Sequence, residues 1–384
     1  MRVCLVYDCL FPYTVGGGER WLGTLGGELA REGHEVTYLT RRQWAEGEEP
    51  QIDGIRVVAV SPGGPLYTDD GRRRIGPPLR FGLGVFLHLL RNRGRYDTIH
   101  SVAFPYFSLF AIRAAAPRTE LSVDWFEVWS REYWNEYLGR VGGRVGAAVQ
   151  RLCVRLTKRA FVFSRLHARR LVEEGLRSEP IRLSGLYAGP TELAQSPETE
   201  RQPLVLFAGR QIPEKRADVV PGAVAAARAS VPGLSGLILG DGPERERVLD
   251  AIEAADAAAF VDAPGFVSAA EVHDAFARAS CHVLPSTREG YGLVVIEAAA
   301  AGTPTVVVAG PDNAAAELIA EGENGFVAAS LDELPQAIVR VHEAGPELRR
   351  RTAEWFAANA KSLSAAESAR QIAAEYLSAP PRAR

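Results

Sequence analysis

Lysine is scarce in this 384-residue chain: of its 44 basic residues only Lys158, Lys215 and Lys361 are lysine, so a lysine inside a motif carries weight. Cysteine is sparse too. Cys4, Cys9, Cys153 and Cys281 are scattered with no C-x-x-C pair, which excludes a disulfide framework and a zinc module and reads as free thiols in a reducing compartment. No apolar run approaches the roughly 18–20 residues that cross a bilayer; the longest, Phe81–Leu90, is about half of that. The opening segment, MRVCLVYD, lacks the apolar core and cleavage site of a signal peptide, so a cytoplasmic location is expected. With 47% apolar and 24% charged residues, the chain is not one that stays disordered.

Net charge is −3, unevenly placed. Residues 1–186 hold 27 basic and 20 acidic side chains, whereas the remainder holds 17 and 27. A basic half followed by an acidic half points to two domains with different partners. The first half alternates strand-like and helix-like runs. Val3–Tyr7, His34–Thr40, Ile55–Val60 and Thr98–Val102 read as strands, and Glu19–Arg31 as a helix with Trp21, Leu22, Leu25 and Leu29 at helical spacing. The second half repeats the pattern, with strands at Leu204–Ala208, Leu237–Gly240, His282–Leu284 and Thr305–Ala309. Between them Ala188–Pro203 is rich in Pro, Glu, Thr and Ser. The expected organisation is α/β: a Rossmann-like domain over 1–186, a linker over 187–203 and a second such domain over 204–361. From about Pro346 the chain reads as helical, ending in a Pro/Arg tail expected to be disordered.

The most informative stretch is PSTREGYGLVVIEAAAAGTP, Pro285–Pro304. A strand end runs into a glycine-containing turn and then a helix, at the strand edge where doubly wound sheets bind ligands. The free N–H groups of Gly292, Leu293 and Val294 would attract an anion there, and Gly290 and Gly292 flank Tyr291 in a turn that lets backbone approach a ligand. Glu289 and Glu297 lie eight positions apart, about 12 Å if helical. Touching a diphosphate they would repel it, so they suit sugar hydroxyls; the blander alternative is a turn residue and a solvated helix face. In FAGRQIPEK, Arg210 and Lys215 follow a strand at the same edge, a fork and a point charge suited to a diphosphate. Leu239–Glu244 (LGDGPE) is strong turn chemistry with Pro243 at a helix start, and Pro264–Val267 (PGFV) is a turn whose main chain could meet a base. Gly16, Gly17 and Gly18 precede the first helix. They fail the dinucleotide fingerprint, since Trp21 stands where its third glycine belongs, but still form a close-approach loop.

Taken in order, GR-x4-K, GDGPE, GFV and E-x7-E, with an N-terminal GGGE, resemble the family-4 retaining glycosyltransferases of GT-B fold over nearly the whole chain. The resemblance implies two Rossmann-like domains facing a cleft, with the acceptor held mainly by the first and a nucleotide-sugar, of UDP or GDP type, mainly by the second. A helix at about 362–378 is expected to pack back on the first domain. By position, Glu289 would hold donor-sugar hydroxyls and Glu297 the ribose. Arg210, Lys215 and the amides of Leu293 and Val294 would bind the diphosphate, Val267 would meet the base, and Gly17 and Gly18 would lie near phosphate and sugar. Arg216 departs from the pattern, since many relatives have glycine there. So does His100-Ser101-Val102, which keeps one histidine of a pair; His100 is therefore a catalytic candidate, with a satisfied strand-end histidine as the alternative. Asp124 and Glu127, in the aromatic run DWFEVWSREYW, are acceptor-side candidates. No D-x-D occurs, so no metal and no cofactor is expected. An epimerase and a non-catalytic nucleotide-sugar binder are the competing readings; nucleic-acid binding is not expected.

Tyr137–Val172 contains no carboxylate, while Arg140, Arg144, Arg151, Arg155, Lys158 and Arg159 recur at helical spacing beside Val141, Val145, Val149, Leu152 and Leu156. This reads either as a basic amphipathic helix over 140–159 touching an anionic membrane, or as a core-packed helix with a solvated basic face.

Overall fold

The computed structural model describes residues 1–14, 16–66, 74–189 and 202–378. It divides into Met1–Ala188 with the chain from Ser362 onward, and Gly189–Lys361. Most of the expected linker, and the tail beyond Ser378, lie outside the described residues.

In the first unit, strands β1 (Arg2–Val6), β2 (Glu35–Arg41), β3 (Ile55–Ser61), β4 (Thr98–Val102), β5 (Glu120–Trp125), β6 (Arg159–Val162) and β7 (Ile181–Arg182) form one parallel sheet ordered β3-β2-β1-β4-β5-β6-β7. Val3 to Val6 are fully buried, as the continuous apolar run of a parallel strand covered on both faces should be. The helices are α1 (Gly17–Arg31), α2 (Gly76–Arg91), α3 (Phe107–Ala115), α4 (Arg131–Leu156) and α5 (Arg165–Glu173). Trp21, Leu22, Leu25 and Leu29 of α1 are buried, as their spacing predicts. The chain reverses direction across the sheet between β1 and β4, so the ends of those strands flank the crevice where such sheets bind ligands. The basic helix expected over 140–159 ends earlier, at Leu156. Thr157 leaves the helical conformation, Lys158 pairs with Glu120, and Arg159 is the first residue of β6. Within α4 a break falls at Gly139, whose φ of 71° a side chain would oppose.

In the second unit, β8 (Leu204–Ala208), α6 (Val220–Arg228), β9 (Ser235–Leu239), α7 (Arg245–Ala254), β10 (Val261–Gly265), α8 (Ala269–Arg278) and β11 (Cys281–Leu284) follow in turn. Then come β12 (Arg288–Glu289), α9 (Leu293–Ala300), β13 (Thr305–Val308), β14 (Asp312–Asn313), β15 (Gly325–Ala328) and α10 (Leu334–Leu363). The parallel sheet runs β10-β9-β8-β11-β13-β15, while β12 and β14 pair apart from it. Pro243 lies in the turn ahead of α7 rather than at its first residue, because the chain must first bond back to Gln211 through the Glu244 N–H. α10 is broken at Gly345, just before Pro346.

The last helix, α11 (Ala365–Ser378), belongs to the first unit and packs on α1. Ala365, Ala369, Ile372, Ala373 and Tyr376 give it a buried stripe at helical spacing. Main-chain bonds from Tyr187 N–H to Leu363 and from Ala365 N–H to Tyr187 fix its start, and Ser368 Oγ donates to the Gly185 carbonyl.

Candidate functional site

In the second unit the loops leaving β8, β9 and β10 are knitted through main-chain groups. Gly209 N–H bonds Leu239, Gln211 N–H bonds Asp241, Gln211 Nε2 donates to Gly240, and Gly240 N–H bonds Gly265. These are the carboxyl ends of parallel strands, so the motif residues share one edge of the sheet. A second seam joins the loop after β8 to the one after β11. Thr287 N–H bonds the Glu214 carbonyl, Arg288 donates to Glu214 Oε1 at 3.0 Å, and Lys215 Nζ lies 2.5 Å from Glu289 Oε1. Lys215 and Glu289, assigned separately by the sequence to phosphate and sugar, are therefore partners. Both are mostly buried, at 22% and 9% side-chain exposure. Such a pair presents a fixed local dipole and places the carboxylate rigidly. Asn313 braces this seam, donating to the carbonyls of Ser286 and Val308.

Beyond Gly290 and the buried Tyr291, Gly292 is the N-cap of α9 with φ 94°. A Cβ there would lie 2.5 Å from that of Ala315, so both conformation and space demand glycine. The N–H groups of Leu293 and Val294 occupy the first turn, where no helical carbonyl precedes them. Glu297 follows on α9, half-buried. Arg210 is exposed and makes no ion pair among the described residues. Val267 is half-buried against the α8 side of the core, whereas its neighbour Phe266 is 83% exposed. Beneath the seam, His282 is fully buried, bonded to Thr305 Oγ1, and burial with the nearby Lys215 charge lowers its pKa to about 3. The Arg288 guanidinium is pushed down to about 10 by burial, although Glu289 and Asp312 oppose this.

Arg216, the departure from the glycine of many relatives, adopts φ 50°, the left-handed region that glycine favours. Its guanidinium is held by Asp218 at 3.1 Å.

In the first unit Gly16 is the N-cap of α1, and a Cβ on it would press on the Glu19 carboxylate at 3.0 Å. A Cβ on Gly17 would meet open space, while one on Gly18 would touch Tyr7 Oη at 3.2 Å. His100 departs from the expectation of a group facing a sugar, while Asp124 is tied to it and also borders the pocket beside Glu127. His100 and Asp124 are fully buried, and His100 Nε2 lies 2.8 Å from Asp124 Oδ2. The same carboxylate oxygen accepts from Trp21 Nε1 at 2.6 Å, and His100 Nδ1 lies 2.5 Å from Tyr376 Oη. The ring stacks on Phe161. His100 thus joins β4 to β5 and to α11 through a chain of buried polar groups. Sequence reasoning missed Tyr376 because it lies 276 positions from its partner. Glu127, with Asp124, sits at a pocket of about 140 Å³ beyond the ends of β4 and β5, lined also by Val102, Ala103, Phe104, Tyr106, Phe126 and Trp129. Its Oε2 accepts from Trp129 Nε1 at 2.8 Å. Among the described residues no three His, Cys, Asp or Glu side chains are placed to hold a metal, and no helix is long and apolar enough to cross a membrane.

Comparison with known proteins finds two family models in succession: a glycosyl transferase 4-like domain over residues 16–185 and glycosyl transferases group 1 over residues 190–355. The chain is 29% identical over 204 residues to an alpha-D-kanosaminyltransferase of Streptomyces kanamyceticus, covering 53% of this chain and 51% of that protein. It spans about half or less of the curated relatives it matches. Among solved structures, a sucrose-phosphate synthase from Thermosynechococcus elongatus has TM-score 0.77 at 17% identity, over 98% of both chains. Anabaena HepE, solved in complex with UDP, has TM-score 0.72 at 16% identity, covering 98% of this chain and 100% of that one. Two successive models spanning almost all of the chain, on two doubly wound sheets, make it a member of the group 1, family-4-like glycosyltransferases of GT-B fold.

Proposed function

We infer that the chain moves a sugar from a nucleoside-diphosphate-sugar to an acceptor hydroxyl, with retention and without a metal. The observation that carries this reading is the seam in which Lys215 and Glu289 meet beside the start of α9, with Arg210 on the same sheet edge. Departure of the sugar breaks the bond between the anomeric carbon and a β-phosphate oxygen, and negative charge grows on that oxygen. Arg210, Lys215 and the Leu293 and Val294 amides are donors of the kind that stabilise it. The acceptor oxygen bonds the same face of the anomeric carbon, and its proton passes to the departing phosphate oxygen. No carboxylate nucleophile is needed, and Glu289 is left to orient sugar hydroxyls, with Glu297 on the ribose, Val267 at the base and Gly17 and Gly18 near phosphate and sugar. The aromatic pocket beside Glu127 suits an acceptor with an apolar face. The UDP bound in HepE supports a nucleoside-diphosphate ligand.

The test is a panel of UDP- and GDP-sugars, scored for thermal stabilisation and slow hydrolysis, with the released anomer followed by NMR. One donor is expected to stabilise the protein and to release the anomer of its own configuration first, unaffected by EDTA. First release of the opposite anomer, or loss of turnover in EDTA, overturns the corresponding part.

A further inference from the structure

α2, α3 and α4 form one layer on one side of the first unit's sheet. α3 packs on both neighbours, and Phe81, Leu109 and Val154, one from each helix, share a core. The buried face of α4 beyond its break is built from Gly143, Gly146, Gln150, Cys153 and Val154. Two of its valines and one leucine point the other way, whereas Val149 packs on the core. Val141 is 77% exposed and Val145 60%, with Leu152 on the same line. At about 100° per residue these three, one, two or three turns apart, keep to one narrow stripe, and Arg140, Arg144, Arg151 and Arg155 run along one flank of it. The helix is thus packed on the core through its glycine-rich face, and of the apolar positions read from the sequence Val141, Val145 and Leu152 lie outside while Val149 packs inward. α2 repeats the arrangement, with Leu79, Leu83 and Leu87 exposed at four-residue intervals near Arg80 and Arg91. These two segments supply six of the sixteen large apolar side chains exposed among the described residues, a concentration that scattered surface hydrophobes do not show. Neither α2, α3 nor residues 140–156 contain an aspartate or glutamate. Arg151 of this stretch pairs with Glu174 at 2.9 Å.

We propose that this helical layer is a docking surface for an anionic lipid bilayer, with the leucine and valine rows entering the headgroup boundary and the arginines meeting lipid phosphates. An apolar row flanked by cations of one sign fits that partner. It does not fit a second copy of the chain, since a two-fold contact through this layer would oppose arginine to arginine.

Co-sedimentation of the full chain with vesicles tests this and needs no donor. Vesicles containing phosphatidylglycerol should carry the protein down at low salt, less so at high salt, and vesicles of phosphatidylcholine alone should not. Leu83→Asp, Val145→Asp and the pair Arg140→Glu with Arg144→Glu should each weaken partition roughly tenfold or more. Leu249→Asp, at an exposed apolar site in the other unit, should not. All are at exposed positions, and an unchanged circular dichroism melt shows the variants folded. No sedimentation with anionic vesicles at low salt, equal sedimentation with phosphatidylcholine, or a lipid-free dimer abolished by Val145→Asp would each overturn the proposal.

Discussion

Lys215 and Glu289 stand 74 positions apart, so each could be found in its own motif but their contact could not. The contact changes what their variants should do. Removing either leaves a mostly buried charge unpartnered, so the two are expected to fail as a unit. Lys215→Ala and Glu289→Ala should each lower transfer by about 10²-fold or more, and the double variant should be little worse than either single one; steady-state kinetics on the four proteins gives the cycle. A double variant at the product of the two losses would mean that they act independently. Arg216 makes the opposite kind of prediction. Its left-handed backbone costs about 1–2 kcal/mol, and the pairs that hold it are partly solvated. Arg216→Gly should therefore hold or raise stability, by about 1 kcal/mol at most, in urea denaturation. The residue types of the site were legible in the sequence, because lysine scarcity and fixed spacings single them out. His100 was not, since whether a strand-end histidine faces a ligand or the interior depends on Tyr376 and Asp124, which fold over it from other parts of the chain.

At the scale of elements, the eight strands and the first helix named from the sequence lie within about two residues of those observed, because buried parallel strands are apolar runs bounded by turn residues, whereas β5, β6, β10 and β15 are not picked out. The two-residue strands β12 and β14 had no such signal, as their pairing depends on the turn between β11 and α9. Periodicity found the apolar positions on α4 but not which of them face out: Val141, Val145 and Leu152 do, and Val149 packs on the core. A face of Gly, Gln and Cys buries well when a large neighbour fills the space, and Trp134 lies where a Cβ on Gly146 would be. The junction before α9 is sharply constrained. Gly292→Ala must leave the left-handed region or displace Ala315, and should cost about 1–3 kcal/mol in thermal unfolding while weakening donor binding. His282 beneath it links the element to pH. Folded, it titrates near 3; unfolded, near about 6.5. The unfolded chain thus binds the extra proton, so stability is complete above about pH 6.5 and falls as pH drops toward 3. Urea titrations at pH 7.5 and 4.5 should show this loss, up to a few kcal/mol, and His282→Gln should flatten it.

Over the whole molecule, the split between a basic first half and an acidic second half survives folding, because the unit boundary at Ala188 nearly coincides with it. The exception is the return of α11 to the first unit, which a linear reading of domains places by resemblance and not by composition. That return has a consequence for synthesis. The seven strands of the first sheet leave the ribosome early, yet the hydroxyl that meets His100 is carried by Tyr376, near the far end of the chain. Until Tyr376 is made, the nascent first unit must wait with that imidazole and the α1 surface uncovered, while the second unit has all of its strands. Release of a chain stopped at Lys361 should accordingly yield a folded second unit beside a first one open to protease.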